Sequence, residues 1–219
     1  MNKILLVIII LIVLAVVFSF YNKKEVGDKD MGDSYKYGTL LAEYEKELDS
    51  LPRDLRKRIL RSIRKSELVV LENEKELMEE FPDSGLLPFI FSSDIELFDG
   101  LENGHSVRVS NYEYTGGAHG NTYFESYNVV NGDDVSLSSI IKRPFDEVKN
   151  EIRVELESRE GVGGEFLEEG LDRYQSFDDF ETWNIKRGQD GVKVVVITFP
   201  LYTVASFSSG VQSVEVLVE

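Results

Sequence analysis

The sequence lacks cysteine altogether and has only two histidines and one tryptophan among its 219 residues. Without cysteine the chain can form no disulfide, no thiolate zinc site, no iron–sulfur cluster and no cysteine nucleophile. The two histidines, His105 and His119, are too far apart in sequence for a His-x-x-x-His metal motif. We therefore predict a protein without a metal ion or other cofactor.

Positive charge is also scarce, since 24 Lys and Arg stand against 40 Asp and Glu. All 40 acids and 23 of the 24 bases lie beyond residue 21, which gives that part a formal net charge of −17. Such an excess of acid argues against nucleic acid as a partner, because nucleic-acid binding rests on basic surfaces. It also argues against a polybasic patch as the means of holding the chain at an anionic membrane.

The longest apolar run opens the chain. Nineteen consecutive uncharged residues extend from Ile4 to Asn22, and as a helix they would span roughly 28 Å, close to the thickness of a bilayer core. The run is longer than the apolar part of a cleaved signal peptide and no A-x-A cleavage pattern follows it. We predict an N-terminal transmembrane signal anchor over residues 1–24, a flexible tether over 25–38 and one folded domain over 39–219.

Membrane orientation does not follow from the flanking charges, because lysines lie on both sides of the apolar run. The absence of cysteine and the acidic body favour a domain outside the cytoplasm. The predicted location is therefore the cell membrane, as a single-pass protein with its folded domain outside.

The first part of the domain is predicted to be helical. Between Leu40 and Phe81 only Pro52 interrupts a helical pattern, and Leu55, Ile59 and Ile63 recur every four residues. Seven basic residues accompany this stripe, and we interpret them as a solvated face paired with the acidic remainder of the protein. These residues are Arg53, Arg56, Lys57, Arg58, Arg61, Arg64 and Lys65.

Strand patterns dominate the rest of the chain. The segments 106–114 and 123–130 are candidate antiparallel neighbours, and Asn131-Gly132-Asp133 is a turn signal. An amphipathic helix with Phe145, Val148, Ile152 and Leu156 on one face follows. A flexible joint is expected at 161–164, a short helix at 165–174, and strands at 182–186, 192–199 and 211–218. The predicted class is α+β, with a mainly antiparallel sheet and packed helices.

The densest local signal lies between the two candidate strands, at Tyr112-Glu-Tyr-Thr-Gly-Gly-Ala-His-Gly-Asn121. Its glycines require a bend, and its tyrosines, histidine and amides are groups that recognise sugars or protein loops. Alternatively, His119 closes the bend by bonding to nearby backbone and the tyrosines are half-buried sheet residues. The candidate ligand-binding residues are Tyr112, Tyr114, Thr115, Gly116, Gly117, His119 and Asn121.

Two stretches carry a resemblance to a known family. Tyr-Thr-Gly-Gly-Ala-His-Gly at 114–120, and Phe199-Pro-Leu-Tyr-Thr-Val-Ala-Ser-Phe-Ser-Ser-Gly210 before a last strand, resemble the extracytoplasmic domain family of unknown function shared by the anti-sigma factor RsiV and the peptidoglycan deacetylase PdaC. The second stretch has Phe207 where that family has tyrosine. The resemblance covers about residues 52–219.

This resemblance implies a tethered α+β domain outside the membrane that binds a ligand in the cell envelope; in RsiV-like proteins the ligand is lysozyme. Only three residues precede the apolar run, so the sigma-binding module of an anti-sigma factor is not expected here. The deacetylase domain of PdaC-like proteins is not expected either. Ser176-Phe-Asp-Asp-Phe180 imitates a deacetylase metal motif, but Phe180 replaces its glycine.

No complete catalytic motif is present, so we predict that the protein is not an enzyme. The first functional hypothesis is a receptor for a basic protein such as lysozyme, steered by the acidic domain. The alternative is a binding module for peptidoglycan or another wall glycan, and a cell-wall-modifying enzyme is less favoured. A purely structural role would predict binding to neither ligand. Oligomeric state does not follow from the sequence.

Overall fold

The computed structural model describes residues 48–82, 89–159, 166–188 and 190–219, which belong to one compact unit. The predicted anchor, the tether, residues 39–47 of the predicted domain and the joint at 161–164 lie outside the described residues. Within the described ranges no helix combines the length and the apolar character of a membrane span. The described part is α+β with antiparallel sheets, as the sequence predicts.

Helices and strands follow one another along the chain in the order given next, with the two 3-10 turns left unlabelled. The elements are α1 (Arg53–Glu80), β1 (Ile90–Phe98), β2 (Gly104–Tyr114), β3 (Asn121–Val130), β4 (Asp133–Asp134), α2 (Leu137–Ile140), α3 (Phe145–Ser158), α4 (Glu168–Leu171), a 3-10 turn (Phe177–Asp179), β5 (Trp183–Arg187), β6 (Lys193–Phe199), a second 3-10 turn (Phe207–Ser209) and β7 (Gln212–Leu217).

The strands divide between two antiparallel sheets, ordered β1-β2-β3-β4 and β5-β6-β7. The predicted pairing of β2 with β3 is confirmed, in a register that runs from Gly104 opposite Val130 to Glu113 opposite Asn121. Asn131 and Gly132 turn the chain into β4 with φ angles of 54° and 95°. Both angles are left-handed, which is why asparagine and glycine suit this two-residue turn.

Helix α1 packs on the first sheet through the apolar stripe that the four-residue spacing predicts. Leu55, Ile59 and Ile63 are buried at exposures of 4%, 0% and 3%, and they form one core with the inward residues of β1, β2 and β3. Residues four apart in a helix lie on nearly the same face, so this spacing produces a continuous apolar contact. Pro52 precedes the first helical turn, where its missing N–H leaves no bond unmade.

Helix α3 covers the second sheet in the same way, with Val148, Ile152 and Leu156 buried in the core formed by β5, β6 and β7. The helix predicted at 165–174 is shorter in the structure, where α4 spans only Glu168–Leu171. Phe166 forms a β-bridge with Ala205 instead of joining the helix. Tertiary contact thus decides the conformation of this segment.

A buried polar network joins the two sheets. The Ser106 hydroxyl, in β2, donates to Asn128 Oδ1 at 2.6 Å and accepts from Asn184 Nδ2 and the Ile185 amide, both at 3.1 Å. Asn128 Nδ2 in turn donates to the Trp183 carbonyl at 2.8 Å. Ser106, Asn128 and Asn184 are buried, so these groups depend on one another for hydrogen bonds.

Replacing Ser106 with alanine is expected to lower the free energy of unfolding by about 3 kcal/mol, because three buried polar groups lose a partner at once. Urea denaturation followed by circular dichroism measures the change. Ser92→Ala is the matched control, since Ser92 is an exposed serine of β1, and it should shift stability by less than ~0.5 kcal/mol. Equal stability of the two variants would contradict this account of how the sheets are joined.

Candidate functional site

The predicted bend forms the connection between β2 and β3. Tyr114 is the last residue of β2 and Asn121 the first of β3. Gly116 has a φ of 85°, a left-handed conformation that glycine adopts without strain. The bend is therefore required by the backbone, as the sequence indicates.

The candidate residues of the bend differ in their surroundings. Thr115, Gly117, His119 and Asn121 are exposed, whereas Gly116 and Tyr114 are partly buried. Tyr112 is 37% exposed and lies against Gly120, where an added Cβ would approach the Tyr112 ring and hydroxyl to within 2.3–2.4 Å. Glycine at 120 therefore allows Tyr112 to fold across the bend.

His119 links the bend to a second loop of the chain. Its Nδ1 lies 3.0 Å from the Gly120 carbonyl and its Nε2 lies 3.3 Å from the Tyr202 hydroxyl. A carbonyl can only accept, so Nδ1 carries the proton, and in the neutral ring Nε2 accepts from Tyr202. The backbone bond expected in the alternative interpretation is thus present, yet the ring is exposed and contacts another loop.

Three aromatic rings meet at this point. The rings of His119 and Phe207 are stacked with centroids 3.9 Å apart, and the Tyr202 ring stacks on Phe207 at 5.5 Å. We call His119, Tyr202 and Phe207 the aromatic cluster. The two stretches that carry the family resemblance, far apart in the chain, are therefore in contact in the fold.

Tyr202 is held in an unusual backbone conformation. The segment 200–203 is a β-turn closed by a hydrogen bond from the Thr203 amide to the Pro200 carbonyl at 3.2 Å. Tyr202 has a φ of 63° and is 56% exposed. The left-handed region costs a bulky residue on the order of 1–2 kcal/mol, and such strain concentrates at functional sites. The fold thus places a large aromatic ring in solvent at an energetic cost.

The turn that carries Tyr202 rests on the segment around α4. The Leu167 amide donates to the Val204 carbonyl at 2.8 Å, and Val204 is fully buried. Gly170 lies so close that a Cβ added there would come within 1.7 Å of the Thr203 carbonyl oxygen. Buried backbone contacts therefore hold the turn that carries Tyr202 in place.

The sequence predicts His119 as a candidate binding residue but does not single out Tyr202 and Phe207. A signal for these two residues was nevertheless available, because both lie in the 199–210 stretch that carries the resemblance. What the sequence did not show is that this stretch touches the bend. The candidate site therefore combines the predicted bend with the 199–210 stretch, whose residues the sequence does not indicate as binding candidates.

Beside the bend, Glu113 is partly buried in β2, and burial raises the pKa of its carboxyl group. A raised folded-state pKa means that the folded protein binds a proton more readily than the unfolded chain. The free energy of unfolding therefore falls as the pH rises from the unfolded-state pKa to the folded-state pKa. Glu113→Gln is therefore expected to stabilise the protein at pH 7, with the gain disappearing below the unfolded-state pKa. Denaturation at about pH 7 and about pH 4 measures this; an equal effect at both pH values would contradict it.

The deacetylase-like stretch has a structural role. The Asp179 carboxylate accepts the amides of Gln175 and Ser176, both at 2.7 Å, and these bonds hold the pKa of Asp179 below its ordinary value. Across the described ranges there is no group of three or more His, Asp or Glu placed to hold a metal ion. Asp179 caps the first 3-10 turn, as its capping box shows.

Comparison with known proteins identifies the fold. No family model matches the chain, and no curated protein matches it. Among solved structures, a crystal structure of a DUF3298 family member from Bacteroides fragilis is similar with a TM-score of 0.51 and 15% identity, over 81% of this chain and 71% of that one. A DUF3298 family protein from Pseudomonas aeruginosa gives a TM-score of 0.37 and 18% identity, over 64% of each chain.

At this level of identity the likeness to the Bacteroides fragilis protein concerns the fold alone. It defines the class as an α+β fold. More particularly, the chain shares the fold of a DUF3298 family member. This agrees with the expectation of an unknown-function domain family.

Proposed function

We propose that this protein is a membrane-anchored, extracytoplasmic, non-catalytic binding domain related to those of RsiV and PdaC, and that it contacts its ligand through the aromatic cluster. The observation that carries the proposal is the exposure of Tyr202 on a strained turn, in stacking contact with Phe207. Exposed tyrosines with fixed backbones are typical centres of binding surfaces, since they offer a large contact area at a small entropic cost.

The favoured partner is a basic protein such as lysozyme. The part of the chain beyond residue 21 carries a net charge of −17, which would attract a cationic protein and raise its association rate. The aromatic cluster would then supply the short-range contact. These two contributions to binding can be measured separately, because the electrostatic steering depends strongly on ionic strength and the short-range contact does not.

The test is the binding of lysozyme to the full chain in lipid nanodiscs, measured by biolayer interferometry at low and at physiological salt. We expect binding at both, with an association rate that falls at least about tenfold as salt rises and a dissociation rate that changes little. Absence of binding at both salt concentrations would remove lysozyme as the partner.

The second candidate ligand is peptidoglycan or another wall glycan. The exposed Tyr202 ring favours it, because sugars pack on aromatic faces while neighbouring polar groups bond their hydroxyls. The test is co-sedimentation of the chain with insoluble wall material. Glycan binding should survive salt and be lost in Tyr202→Asn; retention by the wall material in that variant would contradict a role of the cluster.

The membrane location has its own test, protease shaving of intact cells. A domain outside the cytoplasm should be degraded by added protease while a cytoplasmic marker stays intact. Full protection of residues 39–219 in intact cells, followed by degradation after lysis, would contradict the proposed location.

A further inference from the structure

The outer face of α1 carries a row of cations that the fold does not use. Of the seven basic residues between Arg53 and Lys65, three form ion pairs: Arg56 with Asp49, Arg58 with Asp134, and Arg64 with Glu67. The expected pairing with acidic residues therefore holds for these three. The other four are exposed and have no ion-pair partner within 4.0 Å in the part of the chain that the structure describes; they are Arg53, Lys57, Arg61 and Lys65.

These four residues, which we call the basic stripe, are spaced four apart and so follow one side of the helix over roughly 18 Å. At ~100° per residue the stripe lies opposite the face on which Leu55, Ile59 and Ile63 are buried. Asp54 is the acid that shares this outer face in the first turns. The stripe is therefore a local positive surface on a strongly acidic protein.

Apolar side chains continue the outer face where the stripe ends. Leu68 and Leu71 are 36% and 46% exposed, and their angular positions fall within those of the stripe. After Asp54, the next acid within the angular range of the stripe is Glu72. Cations beside exposed leucines on one helix face are the pattern by which amphipathic helices lie on lipid headgroups.

We propose that the basic stripe, with Leu68 and Leu71, rests on anionic lipid headgroups of the membrane in which the chain is anchored. This inference rests on the proposed membrane-anchored state. The predicted tether at 25–38 has 14 residues, and a flexible chain of that length has an end-to-end distance of about 20 Å. Such tethering raises the effective concentration of the stripe at the surface, so a weak contact is enough to orient the domain.

The net charge of the whole domain does not oppose this contact. At physiological salt the Debye length is about 8 Å, so acids on distant surfaces are screened from the lipid. Each Lys or Arg at an anionic surface strengthens binding by about fivefold. The local stripe, rather than the overall charge, therefore governs the contact, which departs from the expectation drawn from composition alone.

The test uses the absence of cysteine in the sequence, which allows a single fluorophore to be placed by one substitution. The full chain carrying Leu68→Cys is labelled and inserted in nanodiscs that contain headgroup-quencher lipids, either with phosphatidylglycerol or with phosphatidylcholine only. Val154→Cys is the control, because Val154 is an apolar residue of α3 that is 57% exposed.

We expect quenching at position 68 to be at least about fivefold stronger in phosphatidylglycerol discs, and to fall to the phosphatidylcholine level when Arg53, Lys57, Arg61 and Lys65 are all replaced by glutamine. The label at position 154 should not distinguish the discs. Equal quenching at 68 in both lipids, or quenching that survives the quadruple replacement, would overturn the proposal. A salt-sensitive signal at 68 in phosphatidylcholine discs would indicate the acidic surface of a second copy and would also overturn it.

The outcomes separate this inference from the proposed function. A chain that is not retained in the discs contradicts the anchor and overturns both. A chain that is retained but shows no dependence on phosphatidylglycerol overturns the lipid contact alone, and lysozyme binding by the same discs then reports on the receptor function independently.

Discussion

Tyr202→Asn is expected to weaken lysozyme binding at least about 30-fold, the effect of losing a binding hot spot. The free energy of unfolding should change by less than ~1 kcal/mol, because asparagine accepts the left-handed conformation that the turn requires. The variant removes the exposed ring, with its contact to Phe207 and its hydroxyl bond to His119. Interferometry and urea denaturation on the same preparation measure the two quantities.

Two further variants make this result specific. Tyr202→Phe keeps the ring and removes only the hydroxyl that donates to His119, so it should retain most of the affinity. Val192→Asn alters a side chain that is 45% exposed. Val192 immediately precedes β6, and Phe199 at the other end of the strand lies roughly 23 Å away along the chain. The Val192→Asn variant should leave binding unchanged. Wild-type affinity in Tyr202→Asn would show that the aromatic cluster is not the contact surface.

Gly170→Ala should lower the free energy of unfolding by about 3 kcal/mol, because the added methyl group has no space. Its Cβ would lie 1.7 Å from the Thr203 carbonyl oxygen. Gly170 is buried and Thr203 is followed by the fully buried Val204, so neither segment has free space to shift into. The separation of α4 from the turn should also displace Tyr202, so binding should fall together with stability.

The matched control is Gly117→Ala in the bend. A Cβ at residue 117 would have as its nearest recorded neighbour the His119 carbonyl oxygen at 3.7 Å, an ordinary contact, and the change in stability should stay below ~1 kcal/mol. Denaturant titrations of both variants measure the difference. A Gly170→Ala protein as stable as Gly117→Ala would contradict the rigid mounting of the turn.

Local patterns predicted much of the fold. The four-residue spacing of Leu55, Ile59 and Ile63 predicts which face of the helix is buried, because helix geometry alone places these residues on one side. The β2–β3 pairing and the Asn131-Gly132 turn were also predictable, since strand neighbours with a short connection and left-handed turn residues leave local signals. Each of these elements depends on residues close together in the sequence.

Contacts between distant residues were not predictable in this way. The contact between the two sheets includes hydrogen bonds among Ser106, Asn128 and Asn184, which follow no sequence period. The stacking of His119 on Phe207 joins residues of two separate loops. Propensity also overestimated the helix around Glu168–Leu171, because the bridge of Phe166 to Ala205 competes with it.

Photo-crosslinking from position 202 tests most directly whether the aromatic cluster is the binding surface. The full chain would carry p-benzoylphenylalanine in place of Tyr202, or in place of Val192 as the control, and would be irradiated with lysozyme and, separately, with soluble peptidoglycan fragments. The account predicts a crosslink to one of these ligands from position 202 and none above background from position 192. Crosslinking from 192 equal to that from 202, or none from 202 with either ligand, would contradict it.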